Sequence, residues 1–104
     1  MNIRYTPEAL QDLLELKKYI AGTLQNPKAA ARITKEILDS CGQLKQFPEM
    51  GMSLDARTGA KTGLRCLRCG KRIAFYRIDG ETVSVARILD GRQDYLRILF
   101  GDGE

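Results

Sequence analysis

The chain has 104 residues, 43% of them hydrophobic and 29% charged, values that belong to one ordinary globular domain, residues 1–104, and exclude a disordered tail. At this length a chain can bury roughly two thirds of its unfolded surface around a single core, which leaves no room for two domains. The longest uninterrupted apolar run is Ile73 to Tyr76, far short of a membrane span or a signal-peptide core, so a cytoplasmic protein with no membrane partner is expected.

Lys and Arg number 17 against 13 Asp and Glu. The whole surplus of four lies in the second half, because residues 1–56 balance seven basic against seven acidic groups. Arg57, Lys61, Arg65, Arg68, Lys71, Arg72 and Arg77 follow one another with no acid between them. Such a block calls for an anionic partner, nucleic acid or an acidic protein, or else for solvent around it.

Asn2 to Tyr5 alternates apolar and polar residues and predicts a short strand. Thr6-Pro7-Glu8 then has the order of a helix start: a capping hydroxyl, a proline at the first helical position and an acid where the helix dipole favours one. Ala9, Leu13, Leu16 and Ile20 recur at helical spacing, with Leu10 and Leu14 beside them, and Gly22 is the expected stop. Asn26-Pro27 repeats the cap, and Ala30, Ile33, Ile37, Cys41 and Leu44 form a second stripe that ends at Phe47-Pro48. Two helices joined by a few residues predict an antiparallel hairpin.

Glu49 to Gly63 has no periodicity and reads as a connecting loop. Leu64 to Arg68 and Arg72 to Ile78 read as strands, and Asp79-Gly80 is the dipeptide of a type I′ turn leading back into Thr82 to Leu89. That register sets Tyr76 opposite Val83, Ala74 opposite Val85 and Arg72 opposite Arg87. Two facing arginines repel unless an anion lies between them, although a bulge or a register shift would separate them. Arg77 shares a face with Ile73 and Phe75 and reads as a strand-edge residue that snorkels or pairs with an acid. The apolar tail from Tyr95 to Phe100 is expected to pack on the body, leaving some surface for a partner.

Three cysteines and no histidine exclude a disulfide framework and a four-ligand zinc site, so no metal or other cofactor is expected. The Cys66-x-x-Cys69 spacing falls in a strand context and not at the helix start that a redox motif uses. Cys41, on the apolar stripe, reads as a small core residue.

Pro7-Glu8-Ala9-Leu10, Asp12-Leu13 into Tyr19-Ile20, Phe47-Pro48-Glu49-Met50-Gly51, Tyr76-Arg77-Ile78 and Arg87 through Asp94, in this order, resemble the RelE/ParE family of bacterial toxins over nearly the whole chain. The resemblance implies an α+β fold, an N-terminal helical hairpin packed on a small antiparallel β-sheet. It also implies the toxin of a type II toxin-antitoxin (plasmid stabilisation-like) module, bound and neutralised by a cognate antitoxin in a hetero-oligomer. RelE-like members cut mRNA on the ribosome as endonucleases, whereas ParE-like members inhibit DNA gyrase and need no catalytic groups.

By the same resemblance Arg72, Arg92 and Tyr95 would be catalytic in a RelE-like toxin, the arginines on the scissile phosphate and Tyr95 in place of that branch's tyrosine. Arg65 stands where that branch has a catalytic lysine, and an arginine stays protonated and is a poor base. The first half fits the ParE-like branch, although that branch's Leu-His-Gly is Leu89-Asp90-Gly91 here. The expectation is therefore a ParE-like gyrase inhibitor, with a RelE-like mRNA endonuclease as the alternative and a non-toxic basic binding module as a third. Arg57, Lys61, Arg65, Arg68, Lys71 and Arg87 are the residues expected to bind the target or the antitoxin.

Overall fold

Two side-chain caps begin the helical hairpin. Thr6 Oγ1 accepts the Ala9 N–H at 3.1 Å and opens α1, Pro7–Lys18; Asn26 Oδ1 accepts the Ala29 N–H at 3.1 Å and opens α2, Pro27–Gly42. In each helix a proline occupies the first turn, where its missing N–H costs nothing. The structure is a computed structural model and describes residues 1–101. No helix among the described residues is long and apolar enough to cross a membrane.

The expected stop at Gly22 is not where the chain turns. The helix runs on through a wider turn, Tyr19–Thr23, and reverses at Gln25, the one described non-glycine residue with a positive φ, 52°. Gln25 lies directly before the Asn26 cap, so the second cap, not the glycine, fixes the bend.

Five strands form one sheet in the order β1-β5-β4-β3-β2: β1 Asn2–Tyr5, β2 Met52–Ser53, β3 Arg65–Cys69, β4 Arg72–Asp79 and β5 Thr82–Asp90. The expected helical hairpin on a small sheet is present, but the sheet is mixed rather than wholly antiparallel. β1 runs parallel to β5, with Ile3 opposite Val83 and Tyr5 opposite Val85.

The register of the β4–β5 hairpin differs from the expected one in two steps. The turn residues are Gly80 and Glu81, flanked by the pair Asp79 and Thr82. Gly80 at φ 59° takes the first central position, where a type II′ turn wants glycine. A bulge then follows: Tyr76 faces Val85 but Phe75 faces Arg87, which leaves Ala86 unmatched. Arg72 therefore lies opposite Asp90, not Arg87, and the expected face-to-face arginines do not occur.

The helices cover one face of the sheet, where Leu13, Ile37, Cys41 and Leu44 meet Leu67, Ala74, Tyr76, Val83, Val85 and Ile88. The opposite face is also covered, in part by the apolar tail expected to pack on the body. Leu54, Leu64, Ile73, Phe75 and Leu89 make a second core with Tyr95 and Leu99 against it. Its cover comes from two short helices, α3 Leu54–Thr58, inside the segment read as a loop, and α4 Tyr95–Phe100 in the tail. Asp55 closes the remainder of that segment by accepting the Thr62 and Gly63 N–H groups, both at 2.8 Å.

Tyr76 explains the Phe47-Pro48-Glu49-Met50-Gly51 segment. Its side chain is fully buried, and its hydroxyl donates to the Pro48 carbonyl at 2.7 Å while accepting the Gly51 N–H at 3.0 Å. A Cβ at Gly51 would lie 2.6 Å from the Cys66 carbonyl oxygen and 2.7 Å from that hydroxyl. Only glycine lets the loop come this close to the sheet.

Candidate functional site

β1 ends at Tyr5, so the β5 edge from Ala86 onward has no neighbouring strand. Side chains from the start of α1 take its place. Thr6 Oγ1 donates to the Ala86 carbonyl at 2.7 Å, and Asp12 Oδ2 accepts the Ile88 N–H at 2.8 Å. Asp12 also receives the fork of Arg87, Nε at 2.8 Å and Nη2 at 2.9 Å. The Asp12 side chain is 9% exposed and Arg87 28%, so the pair is shielded enough for this bidentate contact to matter. The Asp12 carboxylate raises the Arg87 pKa, with Glu8 and Glu15 adding to the effect.

Beside this clamp lies a groove of about 460 Å³ between the end of α1 and the end of β5. Asp12, Glu15 and Tyr19 line one wall, and Arg72, Arg87, Asp90, Arg92 and Gln93 line the other. Asp90 is its electrostatic centre. It takes Arg92 Nη2 at 3.1 Å and Nε at 3.2 Å, and Arg72 Nη1 stands 3.8 Å away. Its carboxylate also accepts the Arg92 backbone N–H at 2.8 Å, while Gln93 Oε1 accepts the Asp90 N–H at 2.9 Å. Hydrogen bonds from Arg92, helped by the charge of Arg72, hold the Asp90 carboxyl down at about 2. The groove thus sets three arginines against three carboxylates, Asp12, Glu15 and Asp90.

Of the residues singled out in the sequence, Arg72, Arg87 and Arg92 meet in this groove. Tyr95 does not: its ring packs on Phe75, centroids 5.2 Å apart, in the core on the opposite face of the sheet. The phenol in the groove is Tyr19, at the start of the wider turn, a position that no signal in the sequence marked as part of a site.

Arg65 is committed elsewhere. Its Nη2 donates to the Gly51 carbonyl at 2.7 Å and the Glu49 carbonyl at 3.0 Å, bracing the loop that Tyr76 anchors, and its Nε is buried without a partner. The remaining basic residues do not form one patch. Strand alternation puts Arg68 and Arg77 on the face of Ile73 and Phe75, whereas Arg65 and Arg72 share the helix side with Tyr76. Arg77 Nε donates to the Thr62 carbonyl at 3.1 Å, Arg68 Nη1 reaches the Gly70 carbonyl at 3.4 Å, and Arg57, Lys61 and Lys71 are exposed on α3, the following loop and the β3–β4 turn. No group of three or more possible metal ligands occurs among the described residues.

The sequence pattern of a family described as the ParE toxin of the type II toxin-antitoxin system parDE matches residues 3–95. No curated protein matches the chain. Among solved structures, a chain of the chromosomal ParDE toxin-antitoxin system from P. aeruginosa is 22% identical with a TM-score of 0.72. A chain of the toxin-antitoxin complex RelBE2 from Mycobacterium tuberculosis is 26% identical with a TM-score of 0.57. Each match covers 86% of this chain and 95% of the other. One of these neighbours belongs to a ParDE system and the other to a RelBE complex.

Proposed function

We propose that this chain, which belongs to the ParE toxin family of type II toxin-antitoxin systems, poisons DNA gyrase by binding it and is neutralised by a cognate antitoxin. The observation that carries the choice of target is the charge balance of the groove. RNA cleavage through a 2′-hydroxyl asks for a base, an acid and uncompensated positive charge on the phosphate between them. Here Arg72 and Arg92 are already held by Asp90, Arg87 is held by Asp12, and the position of a catalytic lysine carries Arg65, locked on two backbone carbonyls. A protein–protein inhibitor needs none of these groups free.

Antitoxin binding is supported by exposed apolar side chains on the helical hairpin and the loop after it. Leu10 and Leu14, one turn apart on α1, are 54% and 45% exposed, and Phe47 is 57% exposed. Leaving them to water in the free protein is costly, and a covering partner removes the cost.

Induced expression in cells tests the target. The expected outcome is a DNA-damage response with loss of chromosomal negative supercoiling while translation continues at first. An immediate stop of translation, with mRNA cut at codons within reading frames, would replace this reading by the RelE-like one.

A further inference from the structure

The backbone fixes where the Asp90 carboxylate sits. Its own N–H donates to Gln93 Oε1 at 2.9 Å, the next N–H, of Gly91, donates to the Lys71 carbonyl at 2.9 Å, and its Oδ1 accepts the Arg92 N–H at 2.8 Å. The last bond closes a tight turn of the kind in which an aspartate side chain takes the N–H two residues on. That turn folds Arg92 back, so that its Nε meets Oδ1 at 3.2 Å and its Nη2 meets Oδ2 at 3.1 Å. Arg72 lies directly across the ladder from Asp90 and brings Nη1 to 3.8 Å from Oδ2. Of the other two acids in the groove, Asp12 is taken up by Arg87 and Glu15 accepts from Gln11 Nε2 at 3.0 Å. The charge of Arg72 and Arg92 therefore rests on Asp90, whose two oxygens stand where converging guanidinium groups would otherwise hold a phosphate.

We propose, on the reading of this chain as a binder of protein and not of RNA, that Asp90 decides which class of ligand the groove accepts: its carboxylate fills the anion position between Arg72 and Arg92 and keeps nucleic-acid phosphates out. A phosphate arriving from solution must displace a carboxylate that is tethered in place and already bound to both arms of Arg92, and a tethered competitor acts at high effective concentration. The carboxyl is held down at about 2, so Asp90 keeps its charge over the whole cellular pH range and the mask is permanent. Asparagine at this position keeps an oxygen for the Arg92 N–H and removes the charge. Arg72, whose side chain is only 19% exposed, is then left in a shielded place without its counter-ion and recruits an anion from solution.

The test titrates the full chain against a fluorescent uridine hexanucleotide at low salt, with anisotropy as the readout. Exposed Arg57, Lys61 and Lys71 supply a weak background common to all variants. In the wild-type protein Arg92→Ala should change the affinity by less than about twofold, because Arg92 is already occupied. Asp90→Asn should bind roughly tenfold more tightly, Asp90→Glu should stay near the wild type because it keeps the charge, and Asp90→Asn combined with Arg92→Ala should lose the gain. Equal affinity of the wild type and Asp90→Asn, a gain shared by Asp90→Glu, or a gain that survives Arg92→Ala would each overturn the proposal. If Asp90→Asn does not fold, the wild-type protein decides the matter: the arginine Nε signals of Arg72 and Arg92 in a ¹⁵N-labelled sample should stay in place as the oligonucleotide is added, and a saturable shift of either would overturn the proposal. Neither gyrase nor ribosome is present, so failure here strikes the role of Asp90 alone, while a wrong target would show in cells and leave these affinities standing.

Discussion

Replacing Asp12 by alanine removes three contacts at once: both arms of the Arg87 fork and the acceptor of the Ile88 N–H. An unmet buried backbone donor costs about 1–3 kcal/mol, and breaking a buried ion pair from one side about 3–5 kcal/mol. Arg87 is 28% exposed and can turn towards water and towards Glu8 and Glu15, so the electrostatic loss falls below that range, at about 1–2 kcal/mol. The sum is about 3 kcal/mol, or a fall of roughly 12–20 °C in the melting midpoint for a domain of this size. Asp12→Asn keeps an oxygen for the Ile88 N–H and loses only the charge, so about half that cost is expected. Thermal or urea denaturation of the two variants and of Arg87→Met, combined as a double-mutant cycle, measures the coupling directly. A loss below about 1 kcal/mol for Asp12→Ala, or additive effects of the Asp12 and Arg87 changes, would refute the clamp as the joint between α1 and β5.

Tyr76→Phe removes a hydroxyl that serves Pro48 and Gly51; a loss of about 2 kcal/mol is expected, with faster amide exchange at Gly51 as the local readout. Gly51→Ala places a methyl 2.6 Å from the Cys66 carbonyl, so it should destabilise more than Tyr76→Phe, and a neutral effect would contradict the close approach of loop and sheet. Asp90 has its pKa depressed to about 2, so its contribution is present above the ordinary carboxylate value and is lost as pH falls towards 2. Because Arg92 is 82% exposed and screened by solvent, the pH-dependent part should be only about 1 kcal/mol. Asp90→Asn should abolish it, which a comparison of urea midpoints at pH 5 and pH 2.5 would show.

What the sequence made legible follows from the range of the interactions involved. Caps act over three residues, so Thr6 and Asn26 could be read directly, and the helical stripes followed from them. The hairpin register depended on two local choices. Placing the turn on Gly80-Glu81 instead of Asp79-Gly80 moves each partner by two residues, and the bulge at Ala86 moves it by one more. Together they carry Arg72 from Arg87 to Asp90. Neither choice alters the apolar alternation enough to be seen in advance. The direction of β1 was equally hidden, since alternation marks a strand's faces but not its sense. Tyr95 lies outside the groove because the second core on the far side of the sheet takes its ring. The basic block looked like one surface because strand residues that are neighbours in sequence alternate between two faces.

The central claim, a toxin that acts on gyrase and not on mRNA, is tested most directly with purified protein in two parallel reactions. One contains gyrase, ATP and relaxed plasmid, the other programmed ribosomes with a defined mRNA. The account predicts loss of supercoiling as the protein is titrated against gyrase, with the ribosome-bound message left intact. Codon-specific cutting of that message, with supercoiling unaffected at the same protein concentration, would contradict it.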